Sequence, residues 1–258
     1  MKRLPSVPMN LDSCLEAIRD DSARIAVCAE RGDLDAPVTG CPGWDLRKLI
    51  VHTGFIHRWA THAIQHAAPA NAGDVREPSS DARGEELGAW MRLGAGVLAD
   101  VLAATPVDAD TWHPFPFEQK AWVWSRRQAM ETMVHRWDAE IAAVGSSDLD
   151  PECAATGLAE FFEMLLPRTL AREGNPAPST SLHVHCTDDG LADGSGEWLV
   201  WGDGGEYRME AVHRKGDAAI RGSAEMLLLA VMGRTDGSGL DAVGDHDAVT
   251  AWLDLPGL

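Results

Sequence analysis

Apolar side chains recur at the spacing of an amphipathic helix through the first two thirds of the chain. This pattern predicts five helices, over residues 10–31, 45–68, 84–104, 118–144 and 151–173. Asp45 is a candidate N-cap for the second helix, and Gly32 ends the first. Pro167 should kink the fifth helix or end its regular part, because proline cannot donate the helical hydrogen bond. The pattern therefore predicts a helical bundle in the N-terminal region.

The pattern changes after the proline-rich segment at residues 173–178. Alternation with period two predicts strands over residues 181–186, 197–201, 207–212 and 218–221. Helical spacing returns at residues 223–232 and 247–254. We therefore predict two domains, a helical bundle in residues 1–175 and a small α+β domain in residues 176–258.

Composition excludes several classes of protein. The 258 residues include 40 acidic and 22 basic side chains, for a formal net charge of −18. That balance argues against binding to nucleic acid or to an anionic membrane surface, since both need a basic face. No apolar run approaches the roughly 20 residues of a membrane span, and the N-terminus lacks the apolar segment of a secretory signal. We therefore expect a cytoplasmic protein, either a monomer or a homodimer.

The fourth helix carries an unusual polar stripe. At 100° per residue, one face presents Trp124, Gln128, Glu131, His135 and Asp138. Polar groups between tryptophans are out of place on a plain core face but are typical of a site built inside a bundle. Glu131 and His135, four residues apart, can bind one divalent ion. The alternative interpretation is an ordinary Glu–His pair on a solvated face.

A third ligand would have to come from another helix, and histidines are frequent on the second. His52 shares a side with Leu49 and is expected to point inward, whereas His57 is expected to point elsewhere. His62 and His66 form a pair near the helix end. His52 is therefore the candidate partner for Glu131 and His135.

Short motifs in this order resemble a known family. Cys41-Pro42-Gly43-Trp44, followed by His52-Thr53-Gly54, resembles the mycothiol-dependent maleylpyruvate isomerase family, which belongs to the wider DinB-like group of metal-binding helical bundles. The Glu131–Asp138 segment resembles that family's later E-x-x-x-H-x-x-D motif. Further similarity lies in the C-terminal residues 182–188, 220–222 and 227–234. The resemblance covers nearly the whole chain.

The resemblance implies a DinB-like four-helix bundle followed by a small α+β domain. It also implies a zinc ion held by His52, Glu131 and His135, with an open position for a thiol, although the ligand types alone admit other divalent metals. Mycothiol would be the thiol cofactor.

The remaining candidates surround this predicted metal. Asp138 could orient a ligand or act as an acid or base. Either Arg234 or Arg221 could bind a carboxylate of the substrate. The thiol-contacting candidates are Trp44, Trp124 and Gln128.

The expected chemistry is thiol activation. A free thiol has a pKa near 8.5, and coordination to zinc deprotonates it. The chain's five cysteines are scattered without a CxxC pair and are expected to be structural, so the thiol would be external. The leading expectation is cis–trans isomerisation of a maleylpyruvate-like oxo-acid. Open alternatives are a mycothiol S-transferase, a zinc-dependent hydrolase and a non-enzymatic zinc-binding regulatory module.

Overall fold

Four long helices form the first compact unit of the computed structural model, which describes residues 9–71, 73–192 and 195–255. The helices are α1 (Leu11–Arg31), α2 (Leu46–His66), α3 (Gly84–Ala104) and α4 (Trp122–Val144). They lie within residues 9–148 and confirm the predicted bundle. Helix α4 begins four residues later than predicted, because Lys120 first pairs with Asp110 in an isolated β-bridge.

Local capping explains where the helices begin. The side chain of Asp45 accepts a hydrogen bond from the Lys48 amide, as predicted for an N-cap, and Asn10 does the same for Ser13. Gly145 ends α4 with φ at 78°, a conformation that glycine adopts at little cost. The helices then pack on a buried core that includes Ile25, Leu46, Leu49, Leu87 and Met91.

Helix α3 is long and apolar enough, by length and composition, to cross a membrane, and among the described residues it is the one helix that meets this test. It packs against α1 and α2, with Leu87, Met91 and Leu98 fully buried. The core helix of a soluble bundle meets the same test, so this feature is weak evidence for a membrane span.

The second compact unit begins at Leu149. Its first part is a nearly continuous helical segment: α5 (Pro151–Glu160), a π-helical turn (Phe161–Leu165) and α6 (Leu166–Glu173). The π turn ends the regular α-helix just before Pro167, which confirms the predicted interruption, because the wider turn accommodates a residue that lacks an N–H. Helix α5 packs against a later helix of the same unit. Residues 149–175 therefore lie with the C-terminal unit, whereas the sequence pattern had suggested a boundary at residue 175.

A five-stranded sheet and two helices complete this unit. They are β1 (Leu182–Cys186), β2 (Glu197–Asp203), β3 (Glu206–Glu210), β4 (Ala218–Gly222), α7 (Ala224–Val231), β5 (Asp241–Gly244) and α8 (His246–Leu253). The strand order is β3-β2-β1-β4-β5, with β1 and β4 parallel and the other neighbours antiparallel. The four predicted strands are present, and β5 is an additional edge strand.

Candidate metal centre

Three side chains from α2 and α4 converge on one point. His52 Nε2 lies 3.5 Å from Glu131 Oε1, and His135 Nε2 lies 3.3 Å from the same oxygen. A ligand atom from each of the three lies within 4.8 Å of the others. Ligands at about 2.1 Å from a tetrahedral metal ion are separated by roughly 3.4 Å, so two of the three spacings already match those of a zinc site.

Neighbouring groups orient two of these candidate ligands. Asp138 Oδ2 lies 3.1 Å from His135 Nδ1, which places the ring proton on Nδ1 and a lone pair on Nε2. Arg127 forms an ion pair with Oε2 of Glu131 and leaves Oε1 facing the imidazoles. The Nε2 lone pair of His135 thus meets a carboxylate oxygen, a repulsive arrangement that a cation between them would relieve. The donor set therefore fits a divalent metal ion.

The ionisation of His52 agrees with a role as ligand. Burial lowers its pKa to about 4, and electrostatic interactions with His135, Arg127 and Lys48 act in the same direction. His52 is thus neutral at pH 7, and only a neutral imidazole has a free lone pair for a metal ion.

Trp44 forms a wall of the site. Its ring centroid lies 4.8 Å from that of His52 and 6.3 Å from that of His135, with the latter pair stacked. The turn that presents it is closed by a hydrogen bond from the Trp44 amide to Cys41 O and requires φ of 79° at Gly43. The Cys-Pro-Gly-Trp motif therefore builds the turn that brings Trp44 to the two imidazoles.

Cys41 lies in the same turn and reaches the site, a placement that the sequence analysis missed. Its Sγ lies 3.7 Å from Asp138 Oδ2, and it forms a second cluster of possible ligands with His135 and Asp138. The thiol of Cys41 donates to this carboxylate, so the contact supports the position of Asp138. Membership of the same four-residue turn as Trp44 was the signal that could have identified it.

The prediction that His57 points away from the bundle is wrong. Its side chain is fully buried, and Nε2 lies 2.9 Å from Thr132 Oγ1 on α4. The buried stripe of α2 includes Ile50, Thr53 and His57, so the inward face is centred one residue away from the predicted one. His52 lies at the edge of that face, with 32% of its side chain exposed.

The two other predicted residues on α4 differ in their surroundings. Gln128, one turn before Glu131, is buried, and its Oε1 has no hydrogen-bond partner among the described residues. Trp124 is fully buried, donates its indole N–H to Trp112 O at 2.9 Å and packs edge-on against Trp59. The contacts of Trp124 are those of an aromatic core, and its predicted contact with a thiol stays a prediction.

The two candidate arginines belong to the second unit. Arg221 is exposed on β4, where it pairs in register with Asp241 of β5. Arg234 is half-buried after α7 and donates to Met232 O at 2.9 Å. Their predicted role in binding a substrate carboxylate stays a prediction.

Comparisons with known proteins match both units. Residues 15–140 match the family model described as the mycothiol maleylpyruvate isomerase N-terminal domain, and residues 152–251 match the model of the C-terminal domain of the same family. The crystal structure of the mycothiol-dependent maleylpyruvate isomerase is similar, with a TM-score of 0.54 and 16% sequence identity. The similarity covers 94% of this chain and 95% of that one and bears out the predicted fold. No curated protein sequence matches the chain.

Proposed function

We propose a function for this protein on the premise that it belongs to the mycothiol-dependent maleylpyruvate isomerase family, whose domain models match residues 15–140 and 152–251. In this proposal, His52, Glu131 and His135 bind a zinc ion, and the protein uses it to activate mycothiol for attack on an electrophilic oxo-acid. Isomerisation of a maleylpyruvate-like substrate is the leading reaction.

The convergence of two imidazole nitrogens on one carboxylate oxygen carries the proposal. Two histidines and one carboxylate are a ligand set of catalytic zinc sites, which keep a fourth position open. A bound zinc ion would act as a Lewis acid that lowers the pKa of a thiol, so that thiolate is available at neutral pH.

Residues around the ligands would position the reactants. Asp138 fixes the ring of His135 through Nδ1, and Arg127 fixes the carboxylate of Glu131. The Trp44 ring lies edge-on to His52 and stacks on His135, and it would shield that side of the site from water. Gln128 is buried, and its Oε1 has no hydrogen-bond partner in the part of the chain that the structure describes; this oxygen would accept a hydrogen bond from the cofactor. Trp124 would contribute to the wall behind it.

The proposed isomerisation needs no oxidant or reductant. The thiolate forms a C–S bond to the cis double bond, and the displaced electron pair moves onto the conjugated carbonyl. Rotation about the resulting single bond follows. The C–S bond then breaks, the double bond reforms as trans, and thiolate is regenerated. Arg234 or Arg221 would bind a substrate carboxylate, because a protein of net charge −18 needs a local positive group to hold a dianion.

An assay of the untagged protein with mycothiol and maleylpyruvate tests the reaction. We expect the trans isomer to form while mycothiol remains constant. A stable mycothiol adduct instead would identify an S-transferase. Hydrolysis that needs no thiol would identify a zinc hydrolase, and inertness towards all substrates would favour a regulatory module. Cytoplasmic location and a monomeric or homodimeric state are part of the proposal and can be checked by fractionation and light scattering.

The ligand assignment is tested separately by elemental analysis. His52→Ala should lose the bundle-bound zinc and the activity together, because two ligands hold zinc far more weakly than three. His66→Ala is the matched control, since His66 is exposed on the same helix. Retention of zinc and activity by His52→Ala would rule out this ligand set.

A further inference from the structure

A second group of metal-ligand side chains lies on the sheet of the C-terminal unit. His183, His185, Glu197 and His213 each offer a ligand atom, and these four atoms lie within 4.8 Å of one another. None of them belongs to the bundle site, and the proposed function does not use them.

The sheet geometry brings three of the four together. His183 and His185 are two residues apart on β1 and therefore project from the same face of the sheet. Glu197 of β2 is the cross-strand partner of His185, so it projects from that face as well. The intervening Val184 is fully buried on the opposite face. Strand pairing thus fixes the positions of these three side chains.

The fourth side chain comes from the segment between β3 and β4. His213 Nδ1 forms a very short contact with Glu197 Oε2. Its ring lies edge-on to those of His183 and His185, with centroids 5.2 and 5.9 Å away. The residue has 69% of its side chain exposed, whereas His183 has 6%. The cluster therefore extends from a buried strand to an accessible loop.

Hydrogen bonding accounts for only part of this arrangement. His183 Nε2 lies 2.9 Å from Glu197 Oε2, which is a normal hydrogen-bond distance. His185 Nε2 lies 3.9 Å from Glu197 Oε1, too far for a hydrogen bond, and its buried Nδ1 has no partner among the described residues. Two of the three imidazoles are hydrogen-bonded to the carboxylate, and the third, His185, is not. Hydrogen bonds to Glu197 therefore do not account for the position of all three rings.

We propose that His183, His185, Glu197 and His213 form a second divalent-metal site that ties the 211–217 segment to the sheet. Three neutral imidazoles and one carboxylate suit zinc and other late first-row metals, and their net charge of −1 attracts a cation. Four protein ligands leave no open position on a tetrahedral ion, which is typical of a structural site. The role is therefore to fix this loop.

Metal binding by the untagged full-length protein tests the proposal. The apoprotein is titrated with Zn²⁺ in competition with a chromophoric chelator, and the bound metal is measured by elemental analysis. We expect two equivalents in the wild type and one in His185→Ala/His213→Ala. His213→Ala alone should weaken one site at least tenfold, and it is suited to this test because the side chain is largely exposed. Circular dichroism of the apo forms checks that each variant is folded.

Matched variants separate this site from the bundle site. His246→Ala, an exposed histidine of the same unit, should keep both equivalents. His52→Ala should lose the bundle equivalent and keep the sheet equivalent, so failure of the bundle site leaves this proposal measurable. Unchanged Zn²⁺ binding in folded His185→Ala/His213→Ala would overturn it, as would a wild type whose single equivalent disappears in His52→Ala.

Discussion

His57 is a neutral histidine held in the core of the bundle. Thr132 Oγ1 donates its one hydrogen to Gln128 O at 2.6 Å, so it must accept a hydrogen bond from the Nε2–H of His57. Burial lowers the pKa of His57 to about 3, with smaller contributions from electrostatic interactions with Arg58 and His135. The protein therefore folds around the uncharged form of this residue.

This burial predicts a loss of stability in acid. An unfolded histidine titrates near pH 6.5, whereas folded His57 stays neutral until about pH 3. Between these values the unfolded state binds the extra proton, so the free energy of unfolding should fall as the pH falls, by up to about 1.4 kcal/mol per pH unit. Denaturant titrations of the wild type and His57→Leu from pH 7 to pH 4 measure this. The variant should show the shallower slope, and equal slopes would contradict the prediction.

Asp138 offers a second test at the scale of one side chain. Its carboxylate accepts a hydrogen bond from the Nδ1–H of His135, and an amide in its place would accept that hydrogen bond more weakly. We expect Asp138→Asn to weaken zinc binding about 10- to 100-fold while the fold is retained. Zn²⁺ competition titrations measure the change, with Asp108→Asn on the exposed surface as the control. An affinity equal to that of the wild type would mean that Asp138 does not position the ligand.

At the scale of the elements, a buried ion network joins α1 to α4. Arg136 Nε lies 3.0 Å from Asp21 Oδ1, and its Nη1 contacts Glu140 at 3.1 Å. The same nitrogen donates to Ser147 Oγ and to Asp148 O. Burial raises the pKa of Asp21 although Arg136 acts in the opposite direction, so this arginine offsets part of the cost of burying that carboxylate.

Removal of this arginine should destabilise the bundle without changing the proposed binding of metal. We expect Arg136→Met to lower the free energy of unfolding by about 3–5 kcal/mol, because Asp21 loses its buried ion partner, whereas Glu140 keeps its ion pair with Arg24. Arg172→Met, where the arginine is exposed, should change it by no more than about 0.5 kcal/mol. Denaturant unfolding gives the stability, and elemental analysis should show unchanged zinc content. A loss below 1 kcal/mol would show that the network contributes little.

Elements with strong local signals could be predicted from the sequence, and elements without them could not. Apolar periodicity and the Asp45 N-cap located α2 to within a residue or two. Strand β5 was missed because Asp241–Gly244 is short, largely exposed and contains two residues that disfavour strands, so only its pairing with β4 makes it a strand. The inward face of α2 was misjudged because both candidate stripes carry apolar residues. Packing against α4 decides between them.

At the scale of the whole molecule, metal binding should couple to stability. A ligand that binds only the folded state stabilises it by about 2.7 kcal/mol when present at 100 times its dissociation constant. We therefore expect a chelator to lower the melting temperature and added Zn²⁺ to restore it, as followed by differential scanning calorimetry. The effect should shrink in His52→Ala, which lacks one of the proposed bundle ligands. Equal melting temperatures with and without metal would contradict this coupling.

The sequence by itself determined the helices of the bundle, four of the five strands that the structure describes, and the family. Each of these follows from local information: periodicity, caps, and short motifs such as Cys41–Trp44 and Glu131–Asp138. Only the tertiary structure decided which side chains meet. It placed Cys41 beside Asp138 and His57 against Thr132, and it gathered the histidines of the C-terminal sheet around Glu197. These contacts join residues 12 to 97 positions apart. Helix packing and strand register bring such residues together, and no local sequence pattern contains that information.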